Sequence, residues 1–385
     1  MLRVLHIDSF KAYVDVRVPL CPVTVIIGPN GSGKTSVLQA VEFLGALVRG
    51  TLKEHLDHRG WAYADLPHLR AANKQFGFTA DLQLGGGEYE WLLRMGARRR
   101  PGVAAERVTS LSNGRLLMDR TGRRMSRFDH QSGADERVMQ TLTSSWLATV
   151  QADDSDRFPE LLRIADWARR IPAYVALDPA RLREPWRRTD EGIGPGGERL
   201  AGFLGWLKRT QPKRFNDVIS RVKKVYPPLV GVTVKQGSYG WNRIEVSERW
   251  DGETVTLNAK QVSDGLLRLL AVSAMHEVPS TPSVVMFDEI ENGVHPHLLG
   301  ALITMLGSLA SKGRCQVIAT THSPIVLNHI DDPAQILVAH RRKGNAMLTP
   351  LSETAGYRAL GQHFDLGELW YNLGEQHLFR RPSHR

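Results

Sequence analysis

The chain has little sulfur and no long apolar run. Its 385 residues hold two cysteines, Cys21 and Cys315, without metal-ligand spacing and too few for a disulfide scaffold. No stretch approaches the length of a bilayer span, and the opening MLRVLHIDSF lacks a signal-peptide core. A reducing cytoplasm is therefore the expected home, and no membrane partner is expected. Internal repeats, heptad arrays and low-complexity tracts are also missing. With 42% hydrophobic and 23% charged residues, what remains is an ordinary globular chain, long enough for one large α/β domain or two smaller ones.

Acid is in deficit. Fifty Lys and Arg face forty Asp and Glu, a formal charge of +10, which favours a polyanionic partner. The excess is clustered in ARRR at 97–100, RTGRRMSR at 120–127, ARLREPWRR at 180–188 and the tail FRRPSHR. Each alone can be a solvated loop; together they point to nucleic acid, DNA or RNA. No compact nucleic-acid-binding signature accompanies them.

What is present is a phosphate loop in its proper setting. GPNGSGKTS, residues 28–36, follows the β-branched run VTVIIG and precedes KTSVLQAVEFLGALV, where Val37, Ala40, Val41, Leu44 and Val48 recur at helical spacing. A strand, a glycine-rich turn and a helix start are the context in which such a match acts as an anion cradle. Gly28, Gly31 and Gly33 let the backbone curl, and Pro29, Asn30, Ser32 and Ser36 complete the loop. Lys34 would reach the β- and γ-phosphates, and Thr35 would ligate magnesium.

Two short strands are expected within 2–20, and an antiparallel meander over 76–119, where alternating runs are broken by GGG and SNG. Residues 136–171 read mostly as helix, with Leu161, Leu162, Ala165 and Ala168 on one side. Helices LAGFLGWLKRT and RFNDVISRVKKVY follow, the second stopped by Pro227 and Pro228; then come strand-like runs LVGVTVKQ, WNRIEVSERW and ETVTLN. In the last third, PSVVMFDEIENGVHPHLL and GRCQVIATTHSPIVL each start as a buried strand and end in polar residues, as site-building parallel strands do. Asp288 could hold the magnesium shell and Glu289 orient or deprotonate water, although acids also end strands for solubility. His322 could bond the γ-phosphate. Ser263 in VSDGLLRLLAVSAM is a good N-cap, and with the Gly265 N–H it could equally receive an anion.

In this order the pieces resemble the ABC-type ATPases of the SMC, RecF and OLD (overcoming lysogenization defect) group, nearest to stand-alone "AAA family" ATPases of prokaryotic defence and DNA-maintenance loci. The resemblance spans nearly the whole chain: FKAYVDVRVPL, GPNGSGKTS, YVALDPARLREP, the signature VSDGLLRLLA, the Walker B segment VVMFDEIENGVHP and the switch VIATTHSP. It implies an α/β ABC-type P-loop head with a mixed or parallel core sheet, an antiparallel β-subdomain and a helical lobe, without a long coiled coil. The expected units are 1–135 and 260–345 as the halves of the head, 136–259 as the lobe and 346–385 as an extension.

It further implies ATP and Mg2+ as cofactors and a head-to-tail homodimer or higher oligomer. Ser263, Asp264 and Gly265 of one chain would face the Walker A loop of the other, with Asn292 and His295 in the loop that crosses between chains. Asp264 stands where the usual signature has glycine. Asp-Glu-Ile replaces the Glu-Glu-Pro of many relatives, which favours hydrolysis with Glu289, His322 and Lys34 as the catalytic set. Gln151 is the candidate magnesium-sensing glutamine, beside Thr35 and Asp288. The 63 residues after His322 offer no paired acidic clusters for a metal nuclease, so a nuclease, of TOPRIM or HNH type, is expected on a separate effector chain. A sensor or switch in anti-phage defence is the first reading; a RecF-like repair ATPase is the alternative, and a transporter ATPase is disfavoured by ENGVHP and THSP.

Overall fold

The structure is a computed structural model. It describes all residues except 72–74, 98–101, 174–176, 312–314, 362 and 380–385, and no side chain at 238 or 373–377. The chain opens with the hairpin β1 (Leu2–Asp8) and β2 (Asp15–Pro19), then β3 (Val23–Ile27), α1 (Lys34–Arg49) and α2 (Leu52–Arg59). Six strands follow: β4 (Phe76–Leu84), β5 (Gly87–Met95), β6 (Val103–Ser110), β7 (Leu116–Thr121), β8 (Arg124–Asp129) and β9 (Ala134–Met139). After α3 (Pro159–Arg169) and the single turn α4 (Pro179–Leu182) comes a lobe of α5 (Leu200–Thr210), α6 (Pro212–Val225), β10 (Leu229–Gln236), β11 (Asn242–Trp250) and β12 (Glu253–Asn258). The last third holds α7 (Asp264–Met275), β13 (Val284–Phe287), α8 (Pro296–Ser311), β14 (Gln316–Thr321), α9 (Pro324–Leu327), β15 (Ile336–Arg342) and β16 (Asn345–Pro350), then α10 (Ala355–Leu360) and α11 (Leu366–Leu378).

Three sheets result, of eight strands (β2-β1-β4-β5-β6-β7-β8-β9), three (β10-β11-β12) and five (β13-β14-β3-β15-β16). In the five-stranded sheet β13, β14, β3 and β15 are parallel and β16 is antiparallel. Its strands read as continuous apolar runs because both faces are buried. Ile26, Met286, Ile318 and Leu337 point into one core with α1, α3 and the eight-stranded sheet. Val25, Ile27, Val285, Phe287, Val317 and Val338 point into the other, with α5 to α8. Buried Gln316 on β14 pins the layers together: its amide accepts from Leu2 N at 3.1 Å and donates to the carbonyls of Leu2 at 2.8 Å and Cys21 at 3.0 Å. Among the described residues no helix is long and apolar enough to cross a membrane, and the longest, α1 and α8, have 16 residues, so no long coiled coil is present there.

The expectation of mostly helix over 136–171 is corrected. Residues 134–139 extend the meander as β9, 146–149 and 152–154 are single 3-10 turns, and only α3 is a full helix. Strand β9 lies at a sheet edge and no residue of it is fully buried, so its cohesion comes from the ladder to β8 and leaves no apolar period to read. The boundary expected at 135/136 falls inside β9. Leu161, Ile164, Ala165 and Ala168 of α3 belong to the N-terminal core rather than the lobe. The boundary at 345/346 likewise cuts the β15–β16 hairpin, which completes the central sheet. Helix α11 packs on its own chain: Leu369 and Leu378 are buried in the C-terminal core, and Gly367 N donates to Asn328 Oδ1 at 2.7 Å.

The basic run 120–127 is partly internal. Arg120 is 1% exposed and donates to the carbonyls of Ser144 at 2.7 Å, Val103 at 3.0 Å and Leu142. It also faces the buried Glu106, which accepts from Trp91 Nε1 at 2.9 Å and Trp146 N at 2.7 Å. Arg127 pairs with Glu136 at 2.5 Å and lies over the Phe158 ring. Arg120→Met would strand three carbonyls and leave a buried carboxylate without its counter-charge. The expected cost is about 3–5 kcal/mol, read as a lower urea midpoint; a loss below about 1 kcal/mol, the range of an exposed side chain, would contradict the internal role.

Candidate functional site

Three parallel strands deliver the site. Ile27 of β3 pairs with Thr321 of β14, and Phe287 of β13 with Ala319, so the segments that leave these strands emerge side by side at the carboxyl edge. A Cβ on Gly28 would stand 2.2 Å from the Ala339 carbonyl oxygen of β15, so only glycine fits there. Gly33, which caps α1, has φ of 102°, in the left-handed region. The loop is held through its carbonyls. Tyr13 Oη donates to Gly33 O at 3.0 Å, and Arg341 on β15 donates through Nε and Nη2 to Gly31 O at 2.9 and 2.7 Å. Its N–H groups at the helix start can then serve an anion.

Lys34 is 5% exposed. Its Nζ donates to Gly28 O at 2.8 Å and Pro29 O at 3.0 Å and reaches His322 Nδ1 at 3.5 Å. Burial lowers its pKa, against the opposing pull of Asp288, Glu289 and Glu291. A buried ammonium resting on neutral carbonyls is suited to receive negative charge. Ser32 Oγ, also buried, has no hydrogen-bond partner. Both features fit a polyphosphate in the cleft of about 340 Å³ lined by Ala12, Asn30, Gly31, Gly33, Lys34, Thr35, Ser36, Glu289 and His322.

Thr35 Oγ1 lies 3.1 Å from both oxygens of Asp288. A hydroxyl facing a carboxylate at the mouth of a phosphate loop is a donor set that fits Mg2+. Thr320 Oγ1 donates to Asp288 Oδ1 at 2.6 Å and accepts from Glu289 N at 2.8 Å. Glu289 has φ of 49°, an uncommon left-handed conformation for a residue with a Cβ. Its carboxylate accepts from Asn292 Nδ2 and faces His322 Nε2 at 3.7 Å. Glu291 accepts from Thr321 Oγ1 at 2.8 Å and His322 N at 2.6 Å, which fixes the segment carrying the histidine. His322 thus faces Lys34 through Nδ1 and Glu289 through Nε2.

The structure therefore brings residues 28–36, Asp288, Glu289, His322 and Asn292 together. Ser263, Asp264 and Gly265 stand apart and do not line the Lys34 cleft. Ser263 is exposed and caps α7, its Oγ accepting from Leu266 N at 3.4 Å. Asp264 is ion-paired with Arg183, which also donates to Val262 O at 2.8 Å. Gly265 packs beneath the loop after Glu289: a Cβ there would lie 3.7 Å from Gly293 O and 3.8 Å from His295 N. His295 itself is exposed.

Gln151 is not brought to the site. It is exposed and flanks a 3-10 turn, with its N bonded to Asp154 at 2.9 Å and its Nε2 donating to Ala148 O at 3.4 Å. Sequence reasoning missed Glu291, Thr320, Tyr13 and Arg341. The first two sit inside motifs already singled out, ENGVHP and VIATTHSP. Arg341 reaches the loop only through tertiary folding and leaves no local signal, whereas Tyr13 lies in the segment FKAYVDVRVPL already singled out. Of the basic clusters, 98–100 and 380–385 lie outside the described residues, as do 174–176 of YVALDPARLREP.

Comparison with known proteins adds to this geometry. The family described as "AAA domain, putative AbiEii toxin, Type IV TA system" matches residues 145–328, and that described as "AAA ATPase domain" matches 1–49. The "OLD nuclease" of Thermus scotoductus is 22% identical over 342 residues, 84% of this chain and 59% of that protein. "DNA replication and repair protein RecF" of Streptomyces avermitilis is 48% identical over 44 residues, 11% of this chain and 12% of the relative. An Smc head bound to the C-winged helix domain of ScpA superposes with a TM-score of 0.53 at 16% identity, covering 90% of this chain and 96% of that one. The Smc head with an extended coiled coil from Pyrococcus furiosus gives 0.51 at 13% identity, covering 94% and 98%; at these identities the likeness is one of fold. The chain is an ABC-type P-loop ATPase of the SMC, RecF and OLD group. It spans 59% of the length of the OLD relative and far less of the RecF one.

Two substitutions separate binding from turnover in this ATPase. Lys34→Ala is expected to abolish binding of a fluorescent ATP analogue. Glu289→Gln is expected to keep binding while phosphate release falls by about 10²–10⁴-fold, the range for loss of a general base; release at the wild-type rate would remove Glu289 from the water-activating position.

Proposed function

We propose that this ATPase closes as a head-to-tail homodimer, or a larger oligomer built from such pairs, around two ATP molecules. It would act as a sensor or switch in anti-phage defence, contact nucleic acid and control a separate effector. The observation that carries the dimer is the separation of half-sites. Ser263 is exposed at the start of α7, and none of Ser263, Asp264 or Gly265 lines the cleft at Lys34. A signature that does not reach its own phosphate loop is supplied to that of a second chain.

In this reading residues 28–36 hold the phosphates, with Lys34 against the β- and γ-groups. Thr35 and Asp288 hold Mg2+, which when bound offsets phosphate charge as a Lewis acid. Glu289 orients and deprotonates the attacking water, and His322 donates from Nε2 toward the γ-phosphate. Asn292, on the Glu289 carboxylate, and His295 lie in the loop that meets the partner. Closure would let Ser263 and Gly265 N–H of the other chain complete the anion site from the opposite side.

The defence role is supported by the family description that names a toxin of a type IV toxin–antitoxin system and by the likeness to an OLD nuclease. A nuclease, of TOPRIM or HNH type, is assigned to a separate effector chain. A RecF-like role in DNA repair is the second reading, favoured by the RecF matches. The absence of a membrane-length helix among the described residues agrees with a cytoplasmic setting.

Complementation tests the dimer. Lys34→Ala and Ser263→Arg chains should each be inactive alone. Mixed, they form heterodimers with one intact site, built from the wild-type loop of one chain and the wild-type signature of the other. ATP hydrolysis is expected to return on mixing; a mixture as inactive as its components would contradict completion by a second chain.

A further inference from the structure

Most arginines with a strong contact in this fold are already engaged: Arg120 by carbonyls, Arg127, Arg157 and Arg183 by carboxylates. Four others differ. Arg187, Arg188, Arg209 and Arg243 are exposed, and among the described residues none of them has an ion-pair partner. Arg209 and the 186–188 segment meet at one buried hub, Asn242, which is 1% exposed and is followed on β11 by the exposed Arg243. Its Oδ1 accepts from Arg209 Nη1 at 3.3 Å, and its Nδ2 donates to the carbonyls of Trp186 at 3.0 Å and Arg188 at 3.5 Å. Its backbone exchanges hydrogen bonds with Trp186 at 2.9 and 3.1 Å, which lays the 186–188 segment along the start of β11. Asp190, the nearby acid, is occupied by Trp186 Nε1 at 2.5 Å and Arg199 at 3.4 Å.

Between β10 and β11 the chain turns at Tyr239 and Trp241, 84% and 38% exposed. Arg187 Nε donates to the Tyr239 carbonyl at 3.1 Å, so Arg187 flanks the turn, and Arg243 lies two residues beyond Trp241 at the start of β11. Tyr239 has φ of 61°, a left-handed backbone that is unfavourable for an aromatic residue. The ring is 84% exposed and projects into solvent. Exposed aromatic faces near guanidinium groups that have no ion-pair partner among the described residues suit a polyanion that also carries flat rings. Duplexes keep those rings stacked inside, whereas an unpaired strand can lay them on a protein surface.

We propose that the β10–β11 hairpin binds single-stranded nucleic acid, stacking bases on Tyr239 and Trp241 and holding phosphates with Arg187, Arg188, Arg209 and Arg243. This rests on the nucleic-acid contact of the proposed function and names its surface.

Fluorescence anisotropy of the full chain with Mg-ATP tests it, using labelled 20-mers of dT, of U and of a DNA duplex, with polyglutamate as competitor. Either single strand should bind more tightly than the duplex, the dT and U arms deciding between DNA and RNA. The logarithm of affinity should fall with the logarithm of salt at a slope of about −3, from about 0.7 per phosphate contact. Tyr239→Asn, a residue that tolerates the left-handed backbone, and Trp241→Ala should each weaken binding about tenfold, while Tyr239→Phe keeps it. Arg187→Ala or Arg243→Ala should weaken binding and flatten the salt slope by about 0.7. ATP binding and thermal midpoint should stay at wild-type values. If wild type binds and the Tyr239→Asn/Trp241→Ala double variant binds equally well, this surface is wrong while the nucleic-acid reading survives. If wild type binds no oligonucleotide, both fall. A preference for duplex, or displacement by polyglutamate at equal charge, overturns the stacking role.

Discussion

One carboxylate ties the site together. Asp288 receives Thr35 from the phosphate loop and Thr320 from the neighbouring strand, and Thr320 in turn fixes the backbone of Glu289. Three segments far apart in the chain, at 35, 288 and 320, thereby share one corner. They can do so because β13, β14 and β3 are adjacent, parallel and in register. Take away the register and Lys34, Glu289 and His322 would be three unrelated polar side chains. The apolar alternation that buries both faces of that sheet is thus also what aligns the chemistry at its edge.

A second consequence concerns communication. Asn292 bonds the Glu289 carboxylate, and the next residues, Gly293 to His295, rest on Gly265 at the start of α7. The signature of each chain therefore packs against the loop that restrains that chain's own Glu289. The left-handed backbone at Glu289 is a local strain of the sort that persists only where surrounding structure over-determines it.

How much of this was legible in the sequence depended on whether the signal was local. GPNGSGKTS, FDE and TTHSP are each legible in a few consecutive residues, and the structure places them at one corner. The strands at Val284–Phe287 and Gln316–Thr321 were legible as well, because fully buried strands leave unbroken apolar runs, whereas β15 and β16 were not read. Strand β9 was not legible, since an edge strand with no buried residue has no period to detect. Gln151 is singled out only as the glutamine that follows the meander, and folding leaves it on the surface bonded to Ala148. Arg341 braces the phosphate loop from a strand that no motif connects to it, and Tyr13 does so from FKAYVDVRVPL, a segment singled out without that role. Composition alone does not distinguish the basic runs: Arg120 is among the most buried side chains of the fold, whereas Arg187 and Arg188 remain in solvent.

The most direct test of a site completed by a second chain is molar mass in solution. Light scattering of the Glu289→Gln protein with Mg-ATP should report at least twice the mass of the same protein without nucleotide, and the increase should vanish when Ser263→Arg is added. A mass equal to one chain at high protein and ATP concentration would contradict the shared pocket.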